Sequence, residues 1–391
     1  MGLPGVKITL GSGGLGRVSS SSDGVAGLLL TGSAVEGKLE LNKHYQLSST
    51  KDLSTYGVTS ENNPLLYREI KSFYGQVGEG AELHLLVAPS TMRLSSMVSM
   101  GADSPLSRLI EGAAGRIKIV GVNRLPESPE ESDTTEGLDA DVIAACAAAQ
   151  QSAESFASRI MPFRMLLPAI GWTGEGRFAP NTCSYNRVGL VLASEGELNG
   201  QYPAAIGMVL GRAAKAEPQQ DLGRVKFGSL APTGYFMDGS TSLESYGMAG
   251  SLNEAGYIFF VHYPGKNGCY LNGCPMATGE TDDYATLNNG RIMDKAMRLA
   301  YDTYISEIMD NIAVGEDGKL PNGVCRSFES MIENAVSVQM EGQISSFSAY
   351  VNPEQNILSS SRLEVECRLV PLGVLKEINV LLSFSNPSLA Q

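Results

Sequence analysis

The stretch "LLLTGSAVEGK", Leu28 to Lys38, runs an apolar strand into the spacing G-x-x-x-x-G-K. As chemistry, that spacing is a phosphate-binding loop. As architecture, it is the first strand of an α/β sheet ending in a glycine-bounded turn. A working phosphate loop needs Ser or Thr after the lysine to hold Mg²⁺, and a helix whose N-terminus faces the phosphates. Here Leu39 follows Lys38, "LELNKHYQL" reads as extended chain, and Glu36 would set a carboxylate against the phosphates. We read a strand and a turn, and keep a nucleotide-binding enzyme built on Gly32 to Lys38 as the alternative. The second glycine cluster, "GSGGLG" at Gly11 to Gly16, follows a strand-like piece but precedes "RVSSSSDG", a poor helix. No well-placed acid follows a second strand, so no dinucleotide unit closes around it.

Outward from Leu28 the texture alternates. "KHYQLSS" reads as a short strand, and Asn63-Pro64 opens a helix striped by Leu66, Ile70, Phe73 and Tyr74. "ELHLLVAP" and "RIKIVGVN" are strands separated by the helix "SPLSRLIEGA". Asp139 or Asp141 caps an alanine-rich helix running to about Arg159. "RMLLPAIGW", "RVGLVLAS" and "AAIGMVLGRAAKA" continue the pattern, and "GYIFFVHYPGKNGCYLNG" is a hairpin turning at Pro264 to Gly268. Long helices are expected from about Gly290 to Ile312 and from about Val324 to Met340, then strands in "RLEVECRLV" and "EINVLLSFS". The expected fold class is α/β, of mixed α+β character, with a partly parallel sheet covered by helices. The expected units are an N-terminal arm (1–22), a first α/β part (23–123), a middle, inserted α/β domain (124–252), a C-terminal core (253–375) and a terminal strand (376–391).

The 391-residue chain is 43% hydrophobic, enough for a large core, and carries a formal net charge of −13. That balance argues against general binding to nucleic acid or to anionic membranes. No run is apolar for long enough to cross a bilayer, and "MGLPGVKITL" lacks the regions of a secretion signal, so a soluble protein made in the cytoplasm is expected. The six cysteines are too sparse for a disulfide framework; Cys269 and Cys274 read as reduced thiols near a hairpin rather than as half of a zinc site. His44, His84 and His262 stand far apart in the chain, and His84 and His262 sit in strand-like runs as packing residues. Trp172 reads as a buried loop anchor, and Asp282-Asp283 as a turn or cap. No G-x-S-x-G elbow is present, and no nucleophile, base and orienting group assemble. Arg291, Lys295 and Arg298 share the polar face at the start of a helix, where cations oppose the helix dipole. They form either a solvated face or a contact with an acidic partner surface.

The opening segment, Gly24 to Pro89, resembles the beginning of contractile tail sheath proteins, found in myophage tails and related injection machines. The matching pattern is the strand Leu28 to Leu30, the turn Gly32 to Gly37, the short strand Tyr45 to Leu47, and a small helix from Asp52 to Gly57. A helix ending in Phe73-Tyr74-Gly75, with Gly78 and Gly80, then leads into the strand Glu82 to Val87. "GCYLNGCPMATGETDDYATLNNGRIMDKAMRLAY" looks like the family's hairpin, loop and long helix, and "LPGVKITL" like its N-terminal arm.

The resemblance implies a structural subunit, not an enzyme, that polymerises into hexameric rings stacked around an inner tail tube and contracts without ATP or any cofactor. It implies that the arm residues Val6, Lys7, Ile8, Thr9 and Leu10, and the terminal residues Ile378, Asn379, Val380, Leu381, Leu382, Ser383 and Phe384, add strands to neighbouring subunits. Its partners would be further copies of itself, the inner tube protein, and baseplate and tail terminator proteins, with no nucleic acid and no membrane insertion. Arg291, Lys295 and Arg298 would touch the tube. The place of action would be a virion tail or an injection-system sheath, assembled in the bacterial host cytoplasm. A non-contractile tail or capsid protein is a further alternative. The bare arm fits this picture independently, since unpaired strand edges are templates for another chain.

Overall fold

The computed structural model describes residues 22–125, 134–174, 178–244 and 246–384. The expected strand Val6 to Leu10 and the cluster Gly11 to Gly16 lie outside them. Seven strands form the main sheet: β1 (Ala26–Gly32), β2 (His44–Leu47), β3 (Leu83–Pro89), β4 (Ile119–Asn123), β5 (Arg164–Pro168), β6 (Val188–Val191) and β7 (Tyr257–Ile258). Their order is β7-β6-β5-β4-β1-β3-β2. All neighbours pair in parallel except β2, which runs antiparallel to β3 at the edge. The strand of the opening stretch, β1, is thus the middle of the β3–β1–β4 triplet, from which the sheet is wound in both directions.

Parallel strands covered on both faces read as continuous apolar runs. In β1, every residue from Ala26 to Thr31 is buried. Leu28 and Leu30 face a core shared with helices α1 (Pro64–Val77) and later α4, while Leu29 faces the opposite layer. That layer is built by α2 (Pro105–Gly112) and α3 (Ala140–Ser158), whose Leu106, Leu109, Val142, Ala149 and Phe156 are buried there. Asp139 is the cap of α3, accepting from the Asp141 N–H at 2.9 Å. Asp141 serves a different helix: its carboxylate accepts from the Leu94 N–H at 2.7 Å and from the Ser95 hydroxyl.

Helix α4 (Ile206–Lys215) crosses α1 at unusually close range. Gly207 and Gly211, four residues apart, lie against the backbone of Glu69 and Phe73. A Cβ at either glycine would collide with a carbonyl oxygen of α1.

The sheet runs straight through the boundary expected at residue 123. Strands β5 and β6 come from the segment read as a separate middle domain, yet β5 pairs with β4 and β6 with β5. The second unit begins instead with α5 (Leu287–Tyr304), which is followed by α6 (Asn322–Gln339) and a two-stranded ribbon of β8 (Ile344–Tyr350) and β9 (Glu366–Pro371). It has a small core of its own, with Ile292, Leu299, Ile332, Val336 and Met340. Leu287 belongs to the main core, so α5 is one rod with its first turns in the body and its later turns in the second unit.

The periodic pattern had suggested that this helix continues to Ile312. It stops at Tyr304 and tightens into a 3₁₀ turn, Ile305–Glu307. Ile308 and Met309 are exposed, and Ile312 turns back onto a cluster with Leu320 and Phe328. The last expected strand is also absent as a strand: Ile378 to Phe384 has no regular structure, and no strand edge among the described residues pairs with it.

Candidate functional site

The turn after β1 is satisfied by its own chain. The Ser33 N–H donates to Asn63 Oδ1 at 2.8 Å, and Asn63 Nδ2 donates back to the Ser33 carbonyl at 3.1 Å. The N–H groups of Val35 and Leu39 each donate to the other's carbonyl at 2.9 Å, and that of Lys38 to Val35 at 3.0 Å. These are the amides that a phosphate would need, and no helix starts behind them. The crevice above the sheet's carboxyl end, where an open α/β sheet holds ligands, is filled as well. The Leu125 N–H donates to Thr31 Oγ1 at 3.1 Å, and Asn123 Nδ2 donates to the Ala204 carbonyl at 2.7 Å and to Glu69 at 3.1 Å.

Glu69 is a functional-looking group that the sequence did not announce. It is fully buried at the α1–α4 crossing, where the Gly207 N–H donates to its carboxylate. Burial first, then the nearby Glu195 carboxylate, push it up to about 8. Glu195 is raised too, chiefly by burial, and accepts from the Ser72 hydroxyl at 2.6 Å. Histidines distant in sequence also meet: β2–β3 pairing sets His44 Nε2 2.8 Å from His84 Nδ1, and His84 Nε2 lies 2.7 Å from Glu82. Burial lowers both imidazoles. His262 Nε2 lies 3.0 Å from the Cys269 sulfur, whose thiol burial pushes up to about 11, so it is a poor nucleophile. Trp172 is a buried anchor against Phe236, at 5.4 Å between ring centroids. Among the described residues, no group of three or more His, Cys, Asp and Glu is placed to hold a metal. Among them too, no helix is long and apolar enough to cross a membrane.

The cations of α5 do not make a solvated face. The helix lies across the amino ends of β1, β4 and β5, and its polar side points into that joint. Arg291 is buried; its Nη2 donates at 3.1 Å to the carbonyls of Asp23 and Ala216. Lys295 is paired with Asp23 at 2.5 Å and also reaches Gln343 at 3.1 Å. Arg298 donates to the carbonyls of Ile117 and Pro162. Between them Asp294 receives Arg164 at 2.9 Å and Arg187 at 3.2 Å, inside the protein. Arg164 lies flat against Gly290, where a side chain would not fit. The spacing of Arg291, Asp294, Lys295 and Arg298 was visible in the sequence; the buried partner, Arg164 at the head of an apolar strand, was not.

The terminal segment presents the opposite environment. Leu381 is 94% and Leu382 88% exposed, and Ile378, Val380 and Phe384 stand equally free. Asn379 and Ser383 are exposed as well. The β8–β9 ribbon, which precedes this arm in the chain, is held on α6 by Ile344, Phe347, Ala349 and Leu369. The other face, with Ser346, Ser348 and Tyr350, is open, and a two-stranded ribbon has two unpaired edges. Cys367 is exposed.

A doubly wound body carrying a helical second unit and an open ribbon is the fold of contractile sheath subunits. It superposes on a chain of the anti-feeding prophage baseplate with a TM-score of 0.63 and 13% identity, covering 99% of this chain and 100% of that one. It matches the anti-feeding prophage helical sheath in its contracted state at TM-score 0.60 and 13% identity, covering 98% and 99%. A sheath tail protein from Desulfitobacterium hafniense matches at 0.52 and 12% identity, covering 94% and 100%. The chain belongs to the DUF2586 family, whose N-terminal domain matches residues 3–274 and whose C-terminal domain matches residues 283–389. A comparison with curated protein sequences gives no match.

Proposed function

We propose that this chain is the subunit of a contractile tail sheath, a structural and non-enzymatic part that polymerises into rings stacked around an inner tube. The observation that carries the reading is the exposed apolar segment Ile378 to Phe384, unpaired among the described residues and following in sequence a ribbon with open edges, on a fold similar to that of sheath structures. An apolar segment with no partner among the described residues gains hydrogen bonds and loses exposed surface when it joins the β8–β9 ribbon of another copy. Donor and acceptor are different surfaces, so the contact is heterologous and repeats into rings or helical tubes. Val6 to Leu10 is the second donor in this scheme. Six-fold rings, contraction that drives the tube, and contacts with baseplate and terminator proteins follow the sheath fold as parts of the same proposal. A contact with the tube through Arg291, Lys295 and Arg298 would require these cations, which line one cleft and are engaged within the chain, to turn outward.

The test is deletion of residues 378–391. The shortened subunit keeps its circular dichroism spectrum and melting temperature, and electron microscopy shows no tubes. Full-length tubes from the shortened chain would refute strand donation by this arm.

A further inference from the structure

The joint between the body and the second unit encloses a polar cleft of about 240 Å³, lined among others by Asp23, Lys118, Arg291, Arg298 and Asp302. Its charges do not balance. Asp294 is engaged by Arg164 and Arg187, and Asp23 by Lys295. Of the lining carboxylates, Asp302 alone has no ion pair among the described residues, and Lys118, Arg291 and Arg298 share the cleft with it. This positive site sits on a chain whose formal net charge is −13.

Two of its donors are unspent. Arg291 is 5% exposed, and its Nη1 has no acceptor among the described residues although its Nη2 has two. A buried guanidinium nitrogen without an acceptor is costly and uncommon. The Lys118 ammonium makes no hydrogen bond or ion pair within the described residues either. Burial first, then the Arg298 charge, lower it to about 8, against the opposing pull of Asp23, Asp302 and Asp294.

We propose that this cleft is an oxyanion site: a phosphate-sized anion sits between Lys118 of the body and Arg291 and Arg298 of α5. Phosphate or carboxylate oxygens supply the acceptor that Arg291 Nη1 lacks and a hydrogen-bond partner for the Lys118 ammonium. The groups come from Lys118, just before β4, on one side and from α5 on the other, so a bound anion fastens the second unit to the sheet. This goes beyond the proposed sheath role and does not need it, because the site is complete within one subunit.

The probe is inorganic phosphate added to the purified full-length subunit in Tris-chloride, against sodium chloride at matched ionic strength. Wild type shows a saturable rise in melting temperature with phosphate and none with chloride. The rise is lost in Lys118→Met and kept in Lys118→Arg; ³¹P line broadening reads binding directly if Lys118→Met melts early. The same oxygen chemistry has a second source, an acidic side chain of a neighbouring molecule. Carbodiimide treatment of assembled protein, followed by peptide mass spectrometry, identifies that source by a bond from Lys118 to another chain's carboxylate. Phosphate binding assigns the free anion, and the cross-link assigns the neighbour. If phosphate acts no better than chloride and Lys118 forms no such bond, the site is overturned.

Discussion

Gly207 stands under Glu69: the backbone N–H of the first turn of α4 donates to the carboxylate, and the Cα lies against the backbone of the same residue. One glycine thus lets two helices approach and puts a donor on an acid that has no water. Replacing it tests the approach directly. Gly207→Ala drives a methyl into the Glu69 carbonyl, so stability in urea falls by about 1–3 kcal/mol, the usual range for overpacking. Gly75→Ala, in α1 with open space around it, is the control and is expected to gain about 0.5–1 kcal/mol. Equal effects at the two sites would mean that the crossing is not tight.

Glu69 gives stability a pH dependence of defined sign. Its folded-state value, about 8, lies above the ordinary 4.5, so the folded protein holds a proton that the unfolded chain releases. The contribution is fully present below about 4.5 and is lost as pH rises through about 8. Glu69→Gln keeps the shape without a titratable group, at the loss of one acceptor for either Asn123 Nδ2 or the Gly207 N–H. Urea midpoints between pH 5 and 8.5 should show wild type falling relative to Glu69→Gln as pH rises. Parallel curves would show that the group does not titrate this way.

Asp294 holds two guanidinium groups in the interior, and Arg164 is 1% exposed. Asp294→Ala leaves that charge buried without its partner. The expected loss is about 3–5 kcal/mol, read by chemical denaturation. A loss below 1 kcal/mol would mean that water already reaches the pair.

The glycine turn makes a negative prediction. ATP, GTP or NAD with Mg²⁺ should leave the melting temperature unchanged, because the Ser33, Val35, Lys38 and Leu39 amides already have acceptors. A true ligand at a hundred times its dissociation constant would add about 2.7 kcal/mol. Any such shift revives the nucleotide reading.

The layered body was legible because buried parallel strands announce themselves: "VAGLLLTG", "ELHLLVAP" and "RIKIVGVN" became β1, β3 and β4. Leu39, the extended chain after it and Glu36 weighed against a phosphate loop in the sequence, and the amides of that turn have acceptors in their own chain. The middle segment was misjudged because strand runs carry no label for which sheet they enter; β5 and β6 extend the first sheet. The reach of α5 was overestimated because Ile308 and Ile312 keep helical spacing while packing, or failing to pack, for other reasons. Side-chain pairings across long sequence distances, such as Arg164 with Asp294 or Glu69 with Gly207, leave no local periodic trace, so the joint and the helix crossing emerged only in three dimensions.

Because α5 contributes to both the main core and the small outer core, one rod is shared by the two. Through Asp294 that rod grips Arg164, the first residue of β5, so the outer unit and the central sheet are tied together at a buried ion pair.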